Sequence, residues 1–129
     1  MNYFFNKTLH NTTFDKVIDQ VTEALKSEGF GVLTDIDVKA TFKKKLDVDF
    51  RNYRILGACN PNFAHKAIGA EDKIGVFLPC NVVVQELGNG DVEVAAVDPI
   101  ASMSAVENPA LGEIAGQVQE SLKRVVAGL

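Results

Sequence analysis

Two stretches with a period near 3.6 residues bracket a middle that runs mostly at period two, and this arrangement constrains the fold more than any other feature of the chain. The first stretch places Phe14, Val17, Ile18, Val21, Ala24 and Leu25 three and four residues apart, the stripe an amphipathic helix needs to cover a sheet. Thr12 is positioned to cap it, Asp15 to meet its free N–H groups, Lys26 to face its negative end, and Gly29 to supply a left-handed stop. The second stretch opens at Asn108-Pro109 and carries Leu111, Ile114, Ala115, Val118, Leu122, Val125 and Val126.

Between and before these stripes the chain reads as strands. Residues 2–9 form the first, with Asn6 and Thr8 on a wetter face, and residues 30–38 form the second. A short helix follows with Val38, Phe42 and Leu46 at four-residue spacing, and Lys39, Lys43, Lys44 and Lys45 around it read as a solvated face. "YRILGAC" is the next strand, and Asn60-Pro61 opens a second short helix with Phe63, Ala64, Ala67 and Ile68 as its stripe. "KIGVFLPCNVVVQEL" predicts one long buried strand interrupted at Pro79, which lacks a ladder donor and belongs at an edge or bulge. "GNG" then makes a tight turn and "DVEVAAV" returns as the partner of a hairpin, while residues 100–107 show little periodicity. Strands and helices do not alternate regularly, so the expected class is α+β: a mostly antiparallel sheet with two long helices on one face, in a single domain of residues 1–129.

With 129 residues, 47% of them apolar, the chain can remove roughly two-thirds of its unfolded surface from water in one core. Thirteen basic against seventeen acidic residues leave a net charge of −4, which disfavours nucleic acid and anionic membranes as partners. "MNYFFNKTLH" does not read as a secretory signal and no run of about 18 apolar residues occurs, so a cytoplasmic protein is expected, with its two cysteines as thiols.

Those cysteines lie in matching settings, Cys59-Asn60-Pro61 and Leu78-Pro79-Cys80-Asn81, each where an apolar run meets turn residues. Four readings stay open: thiols buried as small hydrophobes, a redox pair assembled by the fold, a soft-metal or zinc site, and one wall of a pocket beside the short helix of residues 61–70. The opening of that helix favours a thiolate at Cys59, while apolar Leu56, Phe77 and Leu78 nearby disfavour it. Only His65, distant His10 and carboxylates such as Asp98 could join the sulfurs around a metal, so no metal and no cofactor is expected. Asn60, Asn81 and Asn108 read as turn and capping residues, with Asn60 also able to hold an anion or carbonyl at the helix opening. Phosphate loops, nucleophile elbows and paired zinc histidines are absent, leaving any enzymatic role open. The candidate ligand-binding set is therefore Cys59, Asn60, Pro61, His65, Cys80, Asn81 and Asp98.

The stretch "YRILGACNPNFAHKAIGAEDKIGVFLPCNVVVQE" resembles the signature of a small prokaryotic family of domains of unknown function, number 302. Cys59, Asn60, Pro61, Ala64 and the run from Leu78 to Val84 fill the places of its pattern, as do Asp98, Pro99 and Met103 later on. The resemblance implies a fold of the TATA-binding-protein type, strand–helix–four strands–helix with two short inserted helices, commonly as a homodimer. It implies no activity, and function belongs to sites rather than folds. The expectation carried forward is a homodimeric protein that binds a small ligand or a partner, against a thiol-dependent redox protein, enzyme or metal binder using Cys59 and Cys80.

Overall fold

Side chains alternating between two unlike environments build the sheet of this protein, whose computed structural model describes residues 2–129. Five strands, β1 (Phe4–Leu9), β2 (Gly31–Asp37), β3 (Tyr53–Cys59), β4 (Cys80–Glu86) and β5 (Val92–Val97), pair antiparallel throughout in the order β1-β5-β4-β3-β2. Leu56 and Ala58, then Cys80, Val82 and Val84, then Val92, Val94 and Ala96 all turn to one face and are buried. Two long helices cover that face: α1 (Phe14–Ser27) contributes Phe14, Val17, Val21 and Leu25, and α5 (Pro109–Ala127) contributes Val118, Leu122, Val125 and Val126. This is the α+β layering that the two apolar stripes require. Arg124 ties the helices together at their ends, donating from Nε and Nη2 to Glu28 Oε1 at 3.0 and 2.9 Å.

Neither long helix packs on the opposite face of the sheet. Ile55, Val83 and Ala95 run across its middle as facing pairs, with Phe4 opposite Val97 at one side. Towards one end the surface turns polar, where Asn6 and Gln85 both donate to Glu93 at 2.9 and 2.8 Å.

Shorter elements fill the remaining connections: α2 (Val38–Leu46), α3 (Pro61–Ala70) and α4 (Pro99–Ser102). Helix α2 buries none of its side chains, and its Phe42 instead stacks edge-on against Phe50, ring centres 5.1 Å apart. A second, smaller core of Ala67, Ile74 and Leu111 joins α3 to the start of α5.

Several local expectations are corrected. The cap of α1 is Thr13, whose Oγ1 accepts from the Lys16 N–H at 3.3 Å, rather than Thr12. Strand β1 starts at Phe4, two residues later than the expected start at Asn2. The long strand expected through residues 73–87 begins only at Cys80, because Pro79 offers no ladder donor, and Asp72–Phe77 form a 3-10 helix that buries Ile74 in the smaller core. Pro79 therefore precedes the strand, and the sheet's irregularity lies in β2 between Val32 and Thr34. Residues after Asp98 are not featureless: Asp98 Oδ1 accepts from the Ile100 N–H at 3.0 Å and caps α4, with Pro99 at its tolerant first position. Gly29 does take the left-handed conformation, at φ 84°.

Candidate functional site

Where β3 and β4 end beneath α3, the two cores do not quite meet. A cavity of about 270 Å³ lies there, walled by the ends of the two strands, by α3, by Met103 after α4 and by the first half of α5. Its lining is almost wholly carbon: Phe30, Phe63, Leu78, Leu111 and Ile114 set its shape, and small residues such as Ala64 and Ala67 keep α3 from filling it. Folded interiors rarely leave gaps larger than a water molecule, so a void of this size next to a packed core is a distinct feature. Leu33 and Ile68 line it while remaining exposed at its edge, 68% and 46% accessible, which marks where it opens to solvent.

Three of the singled-out residues meet in this wall. Cys59 ends β3 half-buried, Cys80 begins β4 buried, and Asn60 lies between β3 and α3. Ladder pairing sets Cys80 directly opposite Ala58, so the two cysteines sit on neighbouring strands one residue out of register. Burial, reinforced by the charge a Cys59 thiolate would place beside it, pushes the Cys80 thiol up from its ordinary 9.0 to about 11. Near neutral pH Cys80 is thus a protonated, apolar wall group. Both cysteines are free thiols.

Asn60 caps α3 by accepting the Asn62 N–H on Oδ1 at 3.1 Å. Its amide nitrogen turns toward Gly29, where a Cβ would come within 3.0 Å of Nδ2, so a glycine at that position leaves the amide room. Pro61 occupies the first turn of α3, exposed and outside the cavity lining.

The other named residues lie elsewhere. His65 is exposed on α3, off the cavity wall. Asn81 points to the bare face of the sheet, beside a shallow groove bounded by Tyr3, Phe4 and Tyr53. Asp98 works as a structural hub, capping α4 and accepting from Gln119 Nε2 at 3.1 Å, while its neighbour Pro99 reaches the cavity. Asn108 similarly caps α5 and donates to the Ala70 carbonyl at 2.9 Å, which fixes α3 against α5. Among the described residues no group of three or more His, Cys, Asp or Glu is gathered as metal ligands, and no helix is long and apolar enough to cross a membrane. Met103, Leu111 and Ile114 are cavity residues that the sequence does not mark as such, since a wall residue and a core residue of an apolar stripe look alike.

A family model described as Domain of unknown function DUF302 matches residues 5–129. Among solved structures, the crystal structure of an uncharacterized conserved protein DUF302 from Bacillus stearothermophilus is similar over 98% of this chain and 98% of that one, with 30% identity and a TM-score of 0.89. No curated protein matches the sequence.

Proposed function

The chain belongs to the DUF302 family, a domain of unknown function, and we propose that it binds a small apolar molecule in the cavity between β3, β4, α3 and α5, as a homodimer in a reducing cytoplasm. The observation that carries the reading is the void itself: about 270 Å³, lined by carbon and open at Leu33 and Ile68. Ligand sites are concave, mostly apolar and few per protein, and this cavity is slightly smaller than their usual size of about 300–1,000 Å³. An apolar occupant gains the transfer free energy that an empty wall forgoes. Thiol chemistry at Cys80 is the weaker reading, because a thiol held up to about 11 presents almost no nucleophilic thiolate near neutral pH.

Support for the homodimer comes from the bare sheet face, where Ile55, Val83, Ala95 and Val97 form an apolar band that a second copy would cover.

Titration with naphthalene, a rigid apolar probe of about ten carbons and so commensurate with the void, tests the binding reading. Saturable binding of one naphthalene per chain is expected in the native protein. It should be lost in Ala67→Leu, which fills the void from α3, while circular dichroism confirms that this variant is folded. Absence of binding to the native protein would overturn the reading.

A further inference from the structure

The chemistry of the cavity wall narrows the ligand class, an argument that rests on the small-ligand reading above. An apolar void of about 150 Å³ accommodates benzene, so by proportion a cavity of about 270 Å³ holds on the order of ten non-hydrogen atoms. Among the described residues, none that lines it is Asp, Glu, Lys, Arg or His. An ionised group drawn inside would lose its hydration with no countercharge to replace it, and the cost of that far exceeds what hydrocarbon contacts return.

One polar side chain borders this carbon wall. Asn60 has its Oδ1 committed to the Asn62 N–H, but Nδ2 donates to no acceptor among the described residues. The amide group is held by the cap on one side and has space beside Gly29 on the other, at φ 84°. Asn60 is one of the residues lining the cavity, so this donor belongs to a side chain held at the cavity's edge. A hydrogen-bond donor fixed at one point of an apolar pocket selects an acceptor at one point of the ligand.

We infer that the cavity takes an uncharged molecule with a hydrocarbon body of about ten non-hydrogen atoms and a single carbonyl or hydroxyl oxygen, which accepts from Asn60 Nδ2. The protonated state of Cys80 is consistent with this, since it keeps negative charge out of the wall.

Calorimetric titration of the full chain with straight-chain 2-alkanones of about five to twelve carbons tests the inference. Affinity should rise about fourfold per added methylene and level off near ten carbons, where the void is full. A carboxylate of matched length should bind at least about tenfold more weakly. Asn60→Asp keeps an acceptor for the α3 cap but removes the donor; it should weaken the ketones about fivefold or more and weaken naphthalene, which has no oxygen, by a clearly smaller factor. Equal or tighter binding of carboxylates, no levelling with length, or a parallel loss of ketone and naphthalene in Asn60→Asp would overturn the inference and leave the apolar-pocket reading standing. Failure of naphthalene and every ketone to bind the native chain would overturn both.

Discussion

Gly57 lies in the middle of β3 with its Cα hydrogen facing Thr34 and Pro79, and replacing it by alanine puts a methyl group where there is no room. A Cβ at this position would sit 2.1 Å from Thr34 Oγ1 and 2.7 Å from Pro79 Cγ. Rotation about χ1 lets Thr34 withdraw its hydroxyl, since its Cβ is 3.5 Å away, an ordinary contact. The proline ring has no such freedom and must move with the backbone at the start of β4. Overpacking of this kind costs about 1–3 kcal/mol and an off-rotamer threonine about 1 kcal/mol. Against this, losing a glycine from the unfolded chain returns about 0.4–1 kcal/mol. The net expectation for Gly57→Ala is a loss of about 2 kcal/mol, or a fall in Tm of about 8 °C for a chain of this length. Thr34→Ala in the same chain should recover about half, whereas alone, at an exposed position, it should cost little. Urea unfolding of the four proteins measures both terms. A Gly57→Ala protein within about 0.5 kcal/mol of the parent, or strict additivity with Thr34→Ala, would refute the crowding argument.

Other outcomes follow from the same structure. Because the native Cys80 thiol keeps its proton up to about 11 and the unfolded one loses it near 9.0, the native state binds the extra proton between these values; stability is full below 9 and should fall by about 2–3 kcal/mol as pH rises through that window. Cys80→Ala should flatten that part of the denaturation profile, and an unchanged slope would contradict the assignment. Iodoacetamide at neutral pH should label half-buried Cys59 before buried Cys80, and naphthalene should slow the labelling of Cys59; equal rates would argue against the burial difference. Light scattering should give the mass of a dimer, and Val83→Glu on the bare sheet face should yield a folded monomer; a monomeric parent protein would remove that face as the interface.

How far the sequence discloses this molecule depends on which physical signal each part carries. The stripes from Phe14 to Leu25 and from Leu111 to Val126 are legible because a helix on a sheet must repeat its apolar contacts every three or four residues. The turn around Gly90 is legible because its positive φ, 87°, favours glycine. Residues 72–77 mislead because "KIGVF" has strand-like composition, and only the smaller core that takes up Ile74 decides for a 3-10 turn. Strand-end residues Cys59 and Cys80 could be named from their junctions, yet their shared cavity depends on how α3 and α5 sit over the strand ends, which no local pattern encodes. His65 and Asp98 carry chemistry in their side chains, but the first is exposed on α3 and the second caps α4, placements that residue type alone does not reveal.

The division of the interior into unequal parts bears on how the molecule breathes. Among the described residues, seventeen buried ones form the large cluster against the sheet, and three form the small one beneath α3 and the 3-10 turn. Separating the small cluster exposes little apolar surface, so the segment around residues 61–77 should open far more often than the sheet unfolds. Backbone amides there would exchange with solvent through this partial opening, with a protection well below that of β4 and β5. A molecule lodged in the void bridges the two clusters and couples their opening, so occupancy would register as slowed exchange in α3 even at amides that never touch it.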